Sequence, residues 1–551
     1  NFKQSEYGKV ILPFTVLRRF DCVLAPSKEE ILERNKSLAV SNKAPIFKKY
    51  TGHDYYNVSK FDFEKLIDDS NNIDTNLKDY INGFSDDVKE ILDNFEIATI
   101  IEKLKKAGLL YLVVQKFSEI NLGADTIDNL EMGYMFEELI RKFSEQSNET
   151  AGEHFTPREV IELMVEVLLD ANLDEITTTD GKVITILDPA CGTGGMLSIA
   201  QNKIRALNSR TTVVPFGQEL NPETYATCKS DMILKNNTNS KIVFGNSFSE
   251  DGFREQKFDY ILSNPPFGVE WKKVKNFIEN ESKHKGYDGR FGAGTPRISD
   301  GSLLFLQHMI SKMQPIEKGG SRIGIVFNGS PLFSGDAGSG ESEIRKWIIE
   351  KDLLEAVIGL PDQLFYNTGI STYVWILTNR KTDRRKGKIR LINGTSFFGK
   401  MRKSLGNKRN EITESDRKEI VRLYSTYEHD ENYIDFDNDD FGYRKITIER
   451  PLYDENREIV VEKGNPKPNS KLRDTETVPF KEDIHEYFKR EVLPHVPDAW
   501  IDEKKTKIGY EIPFTRHFYK FTPLRESSVI LDEIKQLEEK IQKSLNELFK
   551  G

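Results

Sequence analysis

The sequence predicts an α/β chain built on a doubly wound, Rossmann-like sheet, with a helical domain before it and a helical extension after it. Three observations predict this. Val183-Ile184-Thr185-Ile186-Leu187 is an apolar, β-branched run that reads as a buried strand. It passes through Asp188-Pro189-Ala190-Cys191-Gly192-Thr193-Gly194-Gly195 into Met196-Leu197-Ser198-Ile199-Ala200, the start of a helix. Strand, glycine turn and helix form the first half of a nucleotide-binding unit, because the glycines admit a ligand close to the backbone and the helix N-terminus offers free N–H groups. Second, Phe258-Asp259-Tyr260-Ile261-Leu262-Ser263 reads as another buried strand and ends in Asn264-Pro265-Pro266-Phe267. Ligands bind at the carboxyl ends of such strands, so this tetrapeptide faces the same crevice. Third, the flanking segments show helical rather than strand periodicity. The expected divisions are a helical domain over 1–148, the α/β domain over 149–450 and a C-terminal extension over 451–551.

Taken in order, the first domain is predicted to hold an apolar stripe from Lys9 to Leu24 broken at Pro13, then helical spacing over Glu29–Leu38, Phe63–Leu66, Val88–Leu104 and Ile127–Phe143. Ser27 with Glu30 has the pattern of a capping box. Thr156-Pro157 opens an amphipathic helix through Val160, Ile161, Met164, Val165, Val167 and Leu168, with proline in its first turn. Val213 to Leu220 reads as a strand carrying Glu219 at its end, and Lys241 to Phe244 as a strand leading into Gly245-Asn246-Ser247-Phe248. Beyond Phe267 the chain is hydrophilic and glycine-containing, with Lys272, Lys273, Lys275, Lys283, Lys285, Arg290 and Arg297. A helix over Ser302–Met313, a strand over Arg322–Phe327 and a helix over Glu343–Glu350 follow. Leu354–Pro361 and Ser371–Leu377 are expected to complete the sheet as a final hairpin. More basic residues lie from Arg380 to Arg390 and at Lys400, Arg402, Lys403, Lys408 and Arg409. After a loop at 464–469, Ile530, Ile534, Leu537, Ile541, Leu545 and Leu548 mark a helix of near-heptad spacing, too short to be a stable coiled coil alone and suited to docking on a partner helix or on its own domain.

Composition sets outer limits. A length of 551 residues exceeds one compact core. No apolar run approaches a membrane span and no signal-peptide pattern is visible. Cys22, Cys191 and Cys228 show neither pairing nor metal spacing, which fits a reducing cytoplasm and no metal site. Cys191 reads as a small side chain filling the glycine turn rather than as a nucleophile. The chain begins at Asn1 rather than Met, which leaves room for a start upstream. The net charge of −9 is awkward for a protein that must hold nucleic acid unaided.

The chemistry lies in the two strand ends. A dinucleotide fingerprint needs glycine where Leu197 stands. The pattern from Asp188, acidic-x-x-x-Gly-x-Gly, instead resembles motif I of S-adenosylmethionine-dependent methyltransferases. Asn264-Pro265-Pro266-Phe267 resembles motif IV of enzymes that methylate an exocyclic or amide nitrogen. The residue types suit that task. A conjugated amine is a poor nucleophile, and the Asn264 side-chain oxygen and Pro265 carbonyl can accept its hydrogen bonds so that its lone pair points at the methyl group. The prolines stiffen the turn and Phe267 can stack on a base. An F-T-P element upstream of motif I, in Glu153-His154-Phe155-Thr156-Pro157-Arg158, resembles motif X, which gives the order of the γ-type adenine-N6 DNA methyltransferases. Met135-Phe136-Glu137-Glu138-Leu139-Ile140-Arg141-Lys142-Phe143 followed by His154-Phe155-Thr156-Pro157-Arg158-Glu159-Val160 resembles the modification subunit of type I restriction–modification enzymes, and the resemblance runs from about residue 10 to about 450.

The resemblance implies a methyl transfer from S-adenosyl-L-methionine to adenine N6 in double-stranded DNA, with the base flipped out of the stack. Asn264, Pro265, Pro266 and Phe267 would orient and hold the base. Asp188, Gly192, Thr193, Gly194 and Gly195 would cradle the cofactor, Glu219 would take both ribose hydroxyls, and Asn246, Ser247 and Phe248 would cup its adenine. Glu153, His154, Phe155, Thr156, Pro157 and Arg158 would close over the methionine end, His154 as a contact only. Implied partners are a specificity subunit, shared by two modification subunits, and a restriction/translocase subunit. Delegating sequence reading to the specificity subunit accounts for the acidic charge, and the terminal helix would dock there. The basic runs after Phe267 and after Arg380 are candidate DNA contacts or solvated faces. Two other readings remain open at this point: an N-methyltransferase acting on RNA or protein glutamine, disfavoured by the upstream motif X and long flanks, and a non-catalytic DNA-binding scaffold, disfavoured by two intact motifs.

Overall fold

The apolar runs expected as strands join one sheet. The computed structural model describes residues 3, 6–147, 156–179, 181–235, 237, 239–366, 368–519 and 526–548. Its strands include β1 (Val183–Asp188), β2 (Thr212–Glu219), β3 (Lys241–Phe244), β4 (Tyr260–Ser263), β5 (Arg322–Asn328), β6 (Leu354–Gly359), β7 (Thr372–Thr378) and β8 (Lys388–Asn393). A hairpin of β9 (Gly399–Leu405) and β10 (Lys408–Glu411) stands apart, and β11 (Tyr433–Asp437) returns to the sheet. The order is β11-β8-β6-β7-β5-β4-β1-β2-β3. Strands β3, β2, β1, β4 and β5 are mutually parallel, and β7 lies antiparallel between β5 and β6 as the expected hairpin, which does not complete the sheet, because β8 pairs parallel with β6 and β11 antiparallel with β8. The order runs outward from β1 to β3 on one side and from β4 onward on the other. The crossovers therefore reverse between β1 and β4, and a crevice opens at their carboxyl ends. The core of this layer joins the helix Arg158–Asp170 and the helix Gly195–Leu207 to the apolar faces of β1, β4, β6 and β7.

The N-terminal region is helical, with three local departures from the sequence expectation. The helix Tyr7–Leu24 runs through Pro13 unbroken. An interior proline costs roughly 3 kcal/mol, but Leu12, Phe14, Val16, Leu17 and Phe20 are all at most 1% exposed, and burying five such side chains outweighs that cost. The Thr15 hydroxyl donates to the Ile11 carbonyl at 2.7 Å in the same turns. The run from Val88 to Leu104 is two helices, Asp86–Asn94 and Ile97–Lys106, because Glu96 between them takes a left-handed φ of 53°. Ser27 caps nothing. Residues 25–27 form a single tight turn that feeds one helix into the next, and its hydroxyl donates back to the Leu24 carbonyl. The helical core reaches across to Ala226 and Leu234 of the helix Pro222–Leu234, and the Glu90 carboxylate accepts from Tyr225 and Lys229 of that helix, each at 2.6 Å.

The C-terminal extension is not a helical tail: short helical turns at 484–492 and 503–505 are set among strands, another at 514–518 follows them, and its one long helix comes last. Strand β12 (Gly442–Glu449) spans the neighbourhood of the division expected at 451. After a small hairpin, β13 (Val461–Glu462) and β14 (Asn465–Pro466), the chain supplies β15 (Asp474–Pro479), β16 (Trp500–Ile501) and β17 (Lys507–Tyr510), which pair antiparallel with β12. Ile446 and Ile448 bury against Val478, Phe488 and Val492, a tertiary pairing that the polar, turn-rich sequence does not announce. The Arg345 guanidinium, fully buried, ties this small sheet to the main one by donating to the Tyr510 carbonyl at 2.5 Å and the Pro331 carbonyl at 3.0 Å. The chain accordingly divides into two compact units, Asn1–Ile512 and Pro513–Gly551. The second contains the helix Ser527–Leu548, on which Val529, Ile530, Leu531, Ile534, Leu537 and Ile541 are 41–59% exposed.

The end of the main sheet opposite the crevice is fixed by a buried charge cluster. Arg322 of β5 and Glu355 of β6 pair at 2.5 Å with both side chains 2% exposed, and the Tyr424 hydroxyl donates to the same carboxylate at 2.5 Å. Burial alone would raise the Glu355 carboxyl, but Arg322 and Arg385 overrule it and hold it below the usual range. Replacing Glu355→Gln leaves the Arg322 charge buried and uncompensated. Urea unfolding of the full chain should show a loss of about 3–5 kcal/mol, and a loss under about 1 kcal/mol would mean that water reaches the guanidinium.

Candidate active site

The glycine turn after β1 is held by its neighbours rather than by itself. Gly192 and Gly194 take φ of 53° and 83°. The Cys191 N–H donates to the Gln218 carbonyl of β2 at 3.0 Å, and a Cβ placed on Gly194 would lie 2.7 Å from the Cys228 sulfur. Cys191 fills the turn as expected of a small side chain. It is 5% exposed, its sulfur lies 4.0 Å from that of Cys228, and its thiol is pushed up by that contact and by burial. Glu219, at the end of β2, has one carboxylate oxygen on the Gly192 N–H at 2.8 Å and the other on the Asn221 N–H at 2.7 Å. Ser247 donates to the Pro189 carbonyl at 2.5 Å. The ends of β2 and β3 are thereby docked on the turn.

Asp188 connects the turn to the second strand end. Its buried carboxyl accepts from the Ala190 N–H at 3.0 Å and from the Ser263 hydroxyl at 2.9 Å. Ser263 is the last residue of β4, so this bond fixes the residue that follows, Asn264. Burial pushes the Asp188 carboxyl up to about 7 against these two donors. The Asn264 side-chain oxygen is buried and has no hydrogen-bond partner among the described residues. An unpaired buried acceptor carries a desolvation penalty of about 1–3 kcal/mol, which a ligand N–H would relieve. Pro265 is buried, and Phe267 lies half-buried with its ring 6.5 Å from that of Phe365, edge to face.

The structure brings Asp188, Gly192, Thr193, Gly194, Gly195, Glu219, Ser247 and Asn264 to one crevice, and one cavity behind the turn is lined by Thr193 and Gly195 together with Arg158. Pro157 precedes the helix Arg158–Asp170 as its cap instead of standing in its first turn, and the Arg158 guanidinium lies 3.3 Å over the Tyr134 ring. Glu153, His154 and Phe155 lie outside the described residues. Asn246 and Phe248 are placed differently from expectation. The Asn246 side-chain oxygen accepts from the Phe248 and Ser249 N–H groups and so closes its own turn. The Phe248 ring is 6% exposed and packs 4.5 Å from Phe305 in a cluster with Trp271 and Phe291. Leu220, 59% exposed beside Glu219, and Phe244, 47% exposed opposite Glu219 at the end of β3, are apolar side chains left open at this edge.

Sequence reasoning also missed three residues. Ser263 was legible, as a polar residue closing an apolar strand just before Asn264. Phe365 was not, because only the fold carries the segment after β6 to Phe267. Arg290 was grouped with possible DNA contacts, yet its guanidinium is turned inward. It donates to the Ser247 carbonyl at 2.9 Å and the Phe248 carbonyl at 2.6 Å, and pairs with Glu281 at 2.7 Å. No group of three or more His, Cys, Asp or Glu is arranged for a metal among the described residues, and no described helix is long and apolar enough to cross a membrane.

Residues 128–441 match the N-6 DNA Methylase family model, which is more than half of the chain. The chain belongs to this family. Within it the chain is of the type I modification-subunit kind, since residues 1–117 match the HsdM N-terminal domain. This methylase chain is similar to the type I restriction enzyme MjaIX methylase subunit of Methanocaldococcus jannaschii, with 26% identity over 76% of this chain and 69% of that one. It is also similar to the HindI methylase subunit of Haemophilus influenzae, with 31% identity over 50% of this chain and 55% of that one. Its fold matches the type I restriction–modification methyltransferase subunit from Streptococcus thermophilus, with a TM-score of 0.61 and 22% identity over 79% of this chain and 92% of that one.

The buried carboxyl of this methylase sets a pH test. Because the folded value of about 7 lies above the ordinary 3.8, Asp188 favours folding at acid pH and that contribution is lost as pH rises through about 7. In Asp188→Asn the contribution is absent. The thermal midpoint of the variant relative to the parent should therefore rise steadily from pH 4.5 to 7.5. A constant difference over that range would mean that Asp188 is already ionised at pH 4.5.

Proposed function

We propose that this chain transfers a methyl group from S-adenosyl-L-methionine to the exocyclic N6 of adenine in duplex DNA, as the modification subunit of a type I restriction–modification complex. The observation that carries this reading is the unpartnered, buried Asn264 oxygen at the end of β4, fixed through Ser263 to the carboxyl that opens the glycine turn. A strand-end acceptor of this kind, next to a turn whose positive φ at Gly192 and Gly194 favours glycine, suits an amine brought to a bound methyl donor. The cofactor supplies an electrophilic methyl group. Gly192 to Gly195 would let it approach the backbone, Glu219 would accept from its ribose hydroxyls, and Glu153 to Arg158 would cover its methionine end. Leu220 offers an apolar face for the adenine, a role Phe248 is too enclosed to fill.

The residues of the chain act on the base chiefly by position and by excluding water. Asn264 Oδ1 and the Pro265 carbonyl accept the two amine hydrogens, which favours a pyramidal nitrogen. Phe267 and Phe365 border the base. The amine is neutral, so no side chain need remove a proton before transfer, and the proton leaves afterwards to water. Extruding the base from the duplex costs a few kcal/mol. The exposed apolar stripe of the helix Ser527–Leu548 suits docking on a helix of the specificity subunit, and a restriction/translocase subunit would join that complex.

The test is methyl transfer to duplex DNA by this chain with and without its co-expressed specificity subunit. Transfer is expected only with the partner, and Asn264→Ala should lower it on the order of 10²-fold or more. Transfer by the chain alone would replace the complex with a self-sufficient enzyme, and transfer to RNA or protein instead of DNA would overturn the substrate. Arg290→Ala removes the clamp on the Ser247–Phe248 turn. It should raise KM for the cofactor about tenfold with a much smaller change in kcat, and Arg290→Lys should recover part of the loss. An unchanged KM would remove that turn from the cofactor site.

A further inference from the structure

The sequence has three runs of basic residues, and the fold uses them differently. In the run from Arg380 to Arg390, Lys381 pairs with Asp352 at 2.6 Å and Arg390 with Asp435 at 2.7 Å, while Arg385 donates to the Tyr424 carbonyl. All three of these cations are buried, so this run braces the edge of the sheet. In the run from Lys272 to Arg297, Arg290 is the inward clamp already described, and Lys275 pairs with Glu279. Lys272, Lys273, Lys283 and Lys285 of that run are exposed and form no ion pair among the described residues, and the β9–β10 hairpin carries a second such group, concentrated on one short element. Lys400, Arg402, Lys403 and Arg409 are exposed on it and form no ion pair among the described residues. Glu411 is the sole carboxylate in its sequence. Four like charges gathered on one short hairpin repel one another, and they do so in a chain whose net charge is −9. An anionic partner would relieve that repulsion.

The hairpin is fixed to the mouth of the site. Lys408, 3% exposed, turns inward to Glu159 and to the Leu364 carbonyl at 3.0 Å. The N–H groups of Arg409 and Asn410 donate to the Gln363 carbonyl, and that of Asn407 donates to the Tyr366 carbonyl at 2.7 Å. Between these anchors stands Phe365, whose ring faces Phe267. Glu159 directly follows Arg158, which shares a cavity with the glycine turn. One side of the hairpin is thus bolted to two segments that border the crevice, and its four exposed cations are held on a preformed element beside it.

We infer that the β9–β10 hairpin grips the phosphate backbone of the duplex next to the target base, with Lys400, Arg402, Lys403 and Arg409 on phosphates. This rests on the proposed action on duplex DNA. Such contacts position the duplex and carry no sequence information, which is compatible with base reading by another subunit. A hairpin that is already ordered also spares the entropy of fixing a loop on binding.

The test uses the full chain assembled with its specificity subunit and a duplex carrying a site that the parent complex methylates. The variant is Lys400→Gln/Arg402→Gln/Lys403→Gln/Arg409→Gln. The control is Lys318→Gln/Lys351→Gln, two exposed lysines before β5 and β6, at the end of the sheet opposite the crevice. Each phosphate contact contributes about 0.9 to the slope of log affinity against log salt. The hairpin variant should therefore lose about 3 to 4 in slope, with cofactor affinity and kcat at saturating DNA and low salt unchanged, while the control keeps the parent slope. A parent slope in the hairpin variant overturns the inference and leaves the proposed function standing. An equal loss in both variants also overturns it, as an effect of overall charge. A parent complex that methylates no duplex DNA removes the proposed function and this inference together.

Discussion

The hydrogen bond from Ser263 to Asp188 is the constraint on which the site depends. It crosses the point where the strand order reverses and joins the end of β1 to the end of β4. Without it the glycine turn and Asn264 would be placed by two separate loops. With it they share one buried carboxyl, whose second donor is the Ala190 N–H of the turn itself. The same turn takes the Glu219 carboxylate through Gly192 and the Ser247 hydroxyl through Pro189. The ends of four adjacent strands are therefore set by hydrogen bonds to or through five consecutive residues, 188 to 192. A buried network of this kind is worth most when every member is satisfied. The Asn264 oxygen is the member left open, at the place where the chemistry of a nitrogen methylase needs an acceptor.

A second layer holds the first. Arg290 reaches from the segment after β4 to two carbonyls of the turn after β3, and is itself held by Glu281. The segment that follows the target-side strand end thus braces the turn on the opposite side of the crevice. Glu159 and Lys408 make a comparable link between the helix that follows the F-T-P element and the β9–β10 hairpin. Both links are charge-assisted and largely dry, so they lose little to salt.

The charge of the chain makes sense in the same terms. An acidic protein can work on a polyanion if its cations are placed rather than abundant. Most of the arginines and lysines between 380 and 390 are consumed by carboxylates and carbonyls within the fold, whereas those of the β9–β10 hairpin, Lys408 excepted, are left to the surface beside the crevice. Counting basic residues along the sequence does not separate these two groups, because the difference lies in which partners the sheet brings within reach.

By itself the sequence determined β1 to β7, the glycine turn, the Asn-Pro-Pro-Phe strand end and the β6–β7 hairpin, but not β8 and β11, which extend the sheet beyond that hairpin. The features it determined depend on local periodicity and on residue types with one dominant use, such as glycine at positive φ in positions 192 and 194. It also marked Asp188, Glu219 and Asn264, since a polar residue ending an apolar strand stands at the crevice by geometry alone. Only the tertiary structure decided what distant partners control. Pro13 stays inside a helix because its neighbours are buried on all sides, and Phe248 is withdrawn into a cluster with Phe305 and Trp271. Residues 451–512 add strands to β12 instead of a helical tail because their apolar side chains are few and find their core only across the sheet. Arg290 serves a turn more than forty residues before it. In each case the deciding energy comes from burial or hydrogen bonding between segments far apart in the chain, which no window of sequence contains.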